Sequence, residues 1–391
     1  MQVKNIAVIG LGAMGSGIAY VCAFSGYNVY GREITEEFLE KGMNKIRDYF
    51  MSGVERGKLT PKQAQDGFSR IKTTTSLEKA VENADLVIEA VFEELELKKK
   101  IFSQLDEASL RHTILASNTS TLSITELSKA TEREEKVVGM HFFNPVPAMK
   151  LVEIVKGEKT SHKTIEAVRK VSERLGKESV LSNDGPGFIF NRILIPTAGE
   201  ILKIFEEGIA PMIYIDKISV RSAFPMGPFA LLDFVGLDVA FHATETLHRG
   251  LGEYYKPSEL LSKTVALGHL GMKTGKGLLD FDKPDLKVKK TDEYILNRIL
   301  YVMINEASKC AFEEKIASIE DVDKAMRLGG NFSKGPFELA DELGLDSVVS
   351  GLDSLREEKK NDFYKPSRLL SEKVDAGKLG VKTGKGFYEY G

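Results

Sequence analysis

Up to about Asn183 the chain alternates short apolar runs with segments of helical spacing: Ile6 to Ile9, Val29 to Tyr30, Leu86 to Ala90, Thr113 to Ala116, Val137 to Met140 and Leu151 to Val155. Apolar runs separated this way predict parallel strands joined by crossover helices, an open α/β sheet. One insertion interrupts the alternation. Between Thr35 and Ser69, Phe38, Leu39, Met43, Ile46, Phe50 and Val54 recur at helical spacing, which predicts a long helix or helical hairpin projecting from the sheet. After Asp184-Gly-Pro-Gly187 the periodicity is predominantly helical, so Asn183 to Gly187 marks the boundary between an α/β domain and an all-α region.

The helical region is written twice. Asn191-Arg-Ile-Leu recurs at Asn297, Gly227-Pro-Phe at Gly335, Tyr255-Lys-Pro-Ser at Tyr364 and Lys273-Thr-Gly-Lys-Gly at Lys382, with an offset drifting only from 106 to 109 residues. Each copy is long enough to be a domain rather than a solenoid repeat. Three domains are therefore expected, 1–183, 184–284 and 290–391, with Pro284 to Lys290 as a linker. Lys-Thr-Gly-Lys-Gly lacks the upstream glycine of a phosphate-binding loop, so both copies read as turns.

Composition narrows the function classes. Lys and Arg (54) nearly balance Asp and Glu (57), so the chain as a whole has no field that would recruit nucleic acid or an anionic membrane. No run of about 18 apolar residues could span a bilayer. The strand pattern begins almost at Met1, which leaves no room for a leader, and Cys22 and Cys310 form neither a disulfide framework nor a metal cluster. These features lead us to expect a cytoplasmic, metal-free protein.

Within this frame, Ile6-Ala-Val-Ile-Gly-Leu-Gly-Ala-Met-Gly15 is an apolar strand followed by glycines in G-x-G-x-x-G spacing and the start of a helix. Gly10 permits the tight turn, Gly12 lets a pyrophosphate approach the backbone past Met14, and Gly15 lets the helix pack on the strand. The free N–H groups of the helix N-terminus suit phosphate oxygens. Glu33, at the end of the second strand, is placed to accept hydrogen bonds from the adenosine ribose and to repel a 2′-phosphate, which favours NAD. Its neighbour Arg32 could instead pair with that phosphate and favour NADP.

Parallel strands present their carboxyl ends at one edge, where open α/β sheets bind ligands. Gly10 to Gly15, Ala90-Val-Phe-Glu93, Ser117-Asn118-Thr-Ser120 and His141 each follow an apolar run and should converge there. A histidine at a strand end is, taken alone, more often structural than catalytic. Beside a nicotinamide, however, His141 could take a proton from an alcohol while hydride leaves the same carbon, with Glu153 orienting the ring. Ser120 and Asn191 could hydrogen-bond the reacting oxygens.

These segments together resemble the L-3-hydroxyacyl-CoA dehydrogenase family: Gly10 to Ala19, Leu86 to Glu93, Ser117 to Ser120, His141-Phe-Phe-Asn-Pro-Val-Pro147, Leu151 to Ile154 and Gly185 to Arg192 occur in the family's order. The resemblance implies a Rossmann-type domain followed by helical C-terminal-type domains, here duplicated. It also implies NAD-linked oxidation of (S)-3-hydroxyacyl-CoA to 3-ketoacyl-CoA and its reversal. By position, His141 matches the general base, Glu153 its partner, Ser120 and Asn191 the substrate-binding residues, and Glu93 and Lys98 positions near the nicotinamide ribose. Glu33 stands where the family usually has Asp. Lys58, in the helical insertion, is a looser match to a contact for CoA phosphates. Single-tailed members pair through their helical domains. The second copy here is thus expected to stand in for a partner subunit, giving a monomeric pseudo-dimer or otherwise a homodimer, with Asn297 structural. The rival enzymatic reading is a related dehydrogenase acting on a free hydroxy acid or sugar acid.

Overall fold

A computed structural model describes residues 3–222 and 224–391, which divide into two compact units, Met1–Gly185 and Pro186–Gly391. The first is built on an eight-stranded sheet: β1 (Asn5–Ile9), β2 (Asn28–Arg32), β3 (Ile71–Thr74), β4 (Leu86–Glu89), β5 (Ile114–Ser117), β6 (Val137–Phe142), β7 (Leu151–Lys156) and β8 (Glu178–Asn183). The spatial order is β3-β2-β1-β4-β5-β6-β7-β8, so the chain reverses direction across the sheet between β1 and β4. Buried Ile6, Val8, Leu86, Ile88, Val138 and Ile154 place the core against the sheet.

Seven helices connect the strands. They are α1 (Ala13–Phe24), α2 (Glu36–Glu55), α3 (Pro61–Ser69), α4 (Leu77–Val81), α5 (Leu95–Ala108), α6 (Ile124–Ser128) and α7 (His162–Arg174). The expected insertion is the α2–α3 hairpin. The hydroxyl of Thr35 caps α2 at Phe38 N, and Thr60 and Gln63 form a reciprocal capping box that starts α3.

The sheet corrects the expectation in two respects. β3 and β8 are additional edge strands. β7 runs antiparallel to β6, whereas every other neighbouring pair is parallel. The physical reason lies in the short connection 143–150, which is too brief for a crossover helix and returns as a hairpin instead.

The second unit repeats helix for helix. Its first copy comprises α8 (Phe190–Glu206), α9 (Met212–Val220), α10 (Pro228–Val235), α11 (Leu237–Leu251) and α12 (Glu259–Ala266). Its second comprises α13 (Asp292–Ser308), α14 (Ile319–Gly330), α15 (Pro336–Leu343), α16 (Leu345–Lys359) and α17 (Arg368–Asp375). Both Lys-Thr-Gly-Lys-Gly segments are turns, with Gly275 and Gly384 at φ +71° and with Lys273 and Lys382 paired to Asp238 and Asp346.

The two copies meet through α8 and α13 in a reciprocal exchange. Arg192 of α8 donates to Glu306 of α13 at 2.6 Å, and Arg298 of α13 donates to Glu200 of α8. Tyr255 donates to Glu306 at 2.8 Å, and Tyr364 to Glu200 at 2.8 Å. Arg192 and Arg298 are repeat counterparts, as are Glu200 and Glu306, so residue i meets j and j meets i as in a two-fold dimer interface. Among the described residues no helix is long and apolar enough to cross a membrane.

Candidate active site

The turn after β1 shows what each glycine does. Gly10 has φ +89°, and a Cβ there would sit 2.7 Å from Ala90 O on the neighbouring β4 segment. A Cβ on Gly15 would fall 1.7 Å from Gly10 O, so only glycine lets α1 start this close to the turn. Gly12 is different: a Cβ there would meet nothing within 4 Å, so its face is open rather than packed. Gly12 caps α1 without a side-chain bond, and the first turn carries no acidic residue. Uncapped N–H groups above an open glycine fit a pyrophosphate. Met14 packs, partly buried, against the sheet core.

Glu33 Oε1 accepts from Leu11 N at 2.6 Å and Oε2 from Ile34 N at 3.1 Å, which fixes its carboxylate beside the glycine loop. The longer side chain therefore folds back to this position. Arg32 donates from Nε to Thr75 O at 3.3 Å.

Across the switch point, the ends of β4 and β5 form a buried polar cluster. Lys98 on α5 is 1% exposed and donates to Glu89 Oε1 at 2.6 Å, while Glu89 Oε2 accepts from Ser117 Oγ at 2.6 Å. The same ammonium lies 3.4 Å from Glu93 Oε2. Glu93 Oε1 gathers Thr119 Oγ1 at 2.5 Å, Ser120 N at 2.9 Å and Ser120 Oγ at 3.3 Å. Burial opposes ionisation of Glu93, but Lys98, the Thr119 hydroxyl and the Ser120 N–H outweigh it and hold the carboxyl below its usual range. Lys98 thus acts on the sheet edge through Glu93. Asn118 Oδ1 accepts from Phe142 N at 2.9 Å, joining the β5 end to the strand that carries His141.

His141 and Glu153 are direct cross-strand partners in the β6–β7 register. Glu153 is fully buried and His141 is 7% exposed, with Nδ1 2.6 Å from Glu153 Oε2. Phe143 stacks at a tilt on the imidazole, ring centroids 4.5 Å apart. Since the carboxylate is acceptor-only, Nδ1 carries the proton and Nε2 is the nitrogen suited to accept one.

Gly10, Gly12, Gly15, Glu33, Glu93, Asn118, Ser120 and His141 therefore fall at the carboxyl ends of β1, β2, β4, β5 and β6, with Glu153 facing His141 from β7. Two expected residues stand elsewhere. Lys58 is exposed in the turn between α2 and α3, about 30 Å along α2 from the end of β2. Among the described residues no polar contact joins it to the His141 cluster. Asn191 belongs to the second unit, in the first turn of α8. The sequence reading missed Glu89 and Ser117, although a Glu closing the apolar run Leu86-Val-Ile signalled a buried, paired carboxylate.

Comparison with known proteins follows the same division. A family model described as 3-hydroxyacyl-CoA dehydrogenase, NAD binding domain, matches residues 5–185; its companion, described as the C-terminal domain, matches twice, at 187–281 and 294–390. The chain is 43% identical over 285 residues to a probable 3-hydroxybutyryl-CoA dehydrogenase of Bacillus subtilis, covering 72% of this chain and 99% of that one. It is 35% identical over 407 residues to the fatty acid oxidation complex subunit alpha of Idiomarina loihiensis, covering 98% of this chain and 56% of the relative, so it spans about half of that longer protein. Among solved structures, 3-hydroxybutyryl-CoA dehydrogenase from Escherichia coli K12 superimposes with a TM-score of 0.89 at 29% identity, over 96% of this chain and 100% of that one.

Proposed function

Because this chain belongs to the 3-hydroxyacyl-CoA dehydrogenase family, we propose that His141 and Glu153 form the acid–base centre of an NAD-dependent enzyme. It oxidises (S)-3-hydroxyacyl-CoA to 3-ketoacyl-CoA and catalyses the reverse reaction. The observation that carries this reading is the 2.6 Å bond between His141 Nδ1 and a fully buried Glu153, at the sheet edge that also holds the glycine loop. NAD supplies the hydride acceptor when bound. Gly10, Gly12, Met14 and Gly15 hold the pyrophosphate side of the cofactor and Glu33 the adenosine ribose. Glu93, supported by Lys98, and Asn118 hold the nicotinamide side.

The alcohol proton goes to His141 Nε2, and Glu153 stabilises the resulting imidazolium and fixes the ring. In reduction His141 returns the proton. Ser120 and Asn191 hydrogen-bond the substrate oxygens. The support for Ser120 is its anchoring on Glu93, and that for Asn191 is its place in the Gly185 to Arg192 motif. Lys58 is assigned to CoA phosphates on its exposure and charge alone. The two helical copies, 184–284 and 290–391, are read as separate domains. Their reciprocal arginine exchange supports a chain that is monomeric, the second copy standing in for a partner's helical domain. The absence of disulfides at buried Cys22 and Cys310 suits the cytoplasm.

The test follows NADH oxidation with acetoacetyl-CoA and free acetoacetate, and NAD reduction with gulonate. Turnover of the thioester with little on either free acid is expected, and comparable efficiency on a free acid would overturn the substrate class. Sedimentation velocity should give one chain's mass; an obligate dimer would remove the pseudo-dimer reading.

A further inference from the structure

Lys177, the residue just before β8, is only 7% exposed. Among the described residues no carboxylate pairs with its ammonium, and the thiol of Cys22 on α1, which burial pushes up to about 12, is neutral and offers no counter-charge. A buried cation without a counter-charge is costly, and burial accordingly brings the Lys177 pKa down to about 8. A side chain needed there for packing alone would be aliphatic.

The ammonium holds backbone instead. Nζ donates to Val146 O at 2.5 Å and to Met149 O at 2.6 Å, both in the connection 143–150 between β6 and β7. Within that connection Ala148 N and Met149 N donate to Pro145 O at 2.9 and 3.0 Å, and at its end Lys150 O accepts from Glu178 N at 2.8 Å. The start of β8 therefore grips the connection at three carbonyls. On another side the connection meets the helix that follows the glycine loop. Val146 is buried, and a Cβ added to Gly17 of α1 would lie 2.9 Å from Val146 Cβ and 3.6 Å from Pro147 Cδ.

The connection is thus held between α1 and the Lys177 ammonium. The strands it joins carry His141 and Glu153 as cross-strand partners, and its first residue, Phe143, stacks on the His141 ring. Proton transfer depends steeply on such placement, because a displacement of about 1 Å in the reacting geometry can cost roughly a hundredfold in rate. We propose that Lys177 is a positioning residue for the acid–base pair. By fixing Val146 O and Met149 O it sets the 143–150 connection, and through it the placement of the His141 ring against Glu153 and beside α1. The inference rests on the dehydrogenase reading above.

The experiment mixes the full chain, preloaded with NADH, with saturating acetoacetyl-CoA and follows a single turnover by loss of NADH absorbance. Single turnovers separate the chemical step from binding and release, and their amplitude counts competent chains. Lys177→Met keeps the apolar stem but neither donates nor carries charge. It should fold, since removal of an unpaired buried cation offsets the lost hydrogen bonds. Its rate constant should fall about tenfold, while the amplitude and the NADH dissociation constant stay within about twofold of wild type. In the protein without cofactor, the ring-nitrogen resonances of His141, identified by their absence in His141→Gln, should move in Lys177→Met. Thermal unfolding checks the fold. Should Lys177→Met fail that check, Gly17→Ala, which presses on Val146 from α1, should give the same fall in rate constant at wild-type amplitude. A fall of less than about threefold in the folded variant, a loss confined to the amplitude, or unmoved His141 resonances overturns the positioning role. Absence of turnover in the wild type overturns instead the reading on which it rests.

Discussion

The chemistry at the residue scale turns on one ring held by one carboxylate. His141→Gln keeps a polar side chain of similar reach but cannot carry the proton; turnover should fall by roughly two orders of magnitude or more while NAD affinity stays close to wild type. Stopped-flow NADH oxidation with equilibrium titration of the cofactor checks both halves, and undiminished turnover would remove His141 from the mechanism. Glu153→Gln keeps the size of the side chain but removes the buried charge that fixes the ring, so both turnover and the shape of the pH–rate profile should change. An unchanged profile would argue against the pairing, even though His141 and Glu153 are cross-strand neighbours. This pair was legible in the sequence because an apolar strand ended on a histidine and the next apolar run enclosed a glutamate. Glu89 and Ser117 were not singled out, because a buried ion pair depends on which strand ends and helix come together in space. The link from Glu89 through Lys98 to Glu93 joins residues from β4, its following loop and α5.

Elements were legible in proportion to how much apolar surface they bury. The central strands β1, β4, β5 and β6 are buried along nearly their whole length and announce themselves as apolar runs. β3 contributes only Ile71 as a buried residue, and β8 at the sheet edge has just two apolar residues, Val180 and Leu181, between polar pairs, so neither stands out in the sequence. The antiparallel course of β7 is legible in its eight-residue connection to β6, which is too short for a crossover helix. The glycine loop yields a prediction at this scale, since two of its glycines do different work. Gly15→Ala drives a methyl into Gly10 O and should cost about 1–3 kcal/mol or more through displacement of α1. Gly12→Ala meets only open space at a negative φ, so the melting temperature should hold while NAD affinity drops. Calorimetry of both variants with and without NAD separates the two roles. Equal destabilisation by the two substitutions would refute the assignment of Gly12 to the cofactor.

In the second unit the duplicated helices are locked by charges removed from water, and that sets how the fold responds to substitution and to pH. Glu200 and Arg298 are almost wholly buried, so Arg298→Met would strand a carboxylate and should cost about 3–5 kcal/mol, whereas Glu200→Gln with Arg298→Met should recover much of it. Arg298 also grips Glu207 with its two terminal guanidinium nitrogens, at 2.7 and 2.8 Å. Burial raises the Glu207 pKa, but Arg298 and Lys359 outweigh it and bring the carboxyl down to about 2. Burial likewise opposes ionisation of Glu306, which Arg192 and Lys309 reverse, again to about 2. Both folded values lie below the ordinary 4.5, so the unfolded chain binds more protons in this window. The stability these groups contribute is complete above about pH 4.5 and is lost as pH falls toward 2. Urea unfolding at pH 5.5 and pH 3.5 should therefore show a steep loss for the wild type. The loss should be shallower for Arg298→Met, because without the guanidinium Glu207 is no longer held so low. Equal slopes in the two proteins would mean that the arginine cluster is not what couples the paired helices to pH.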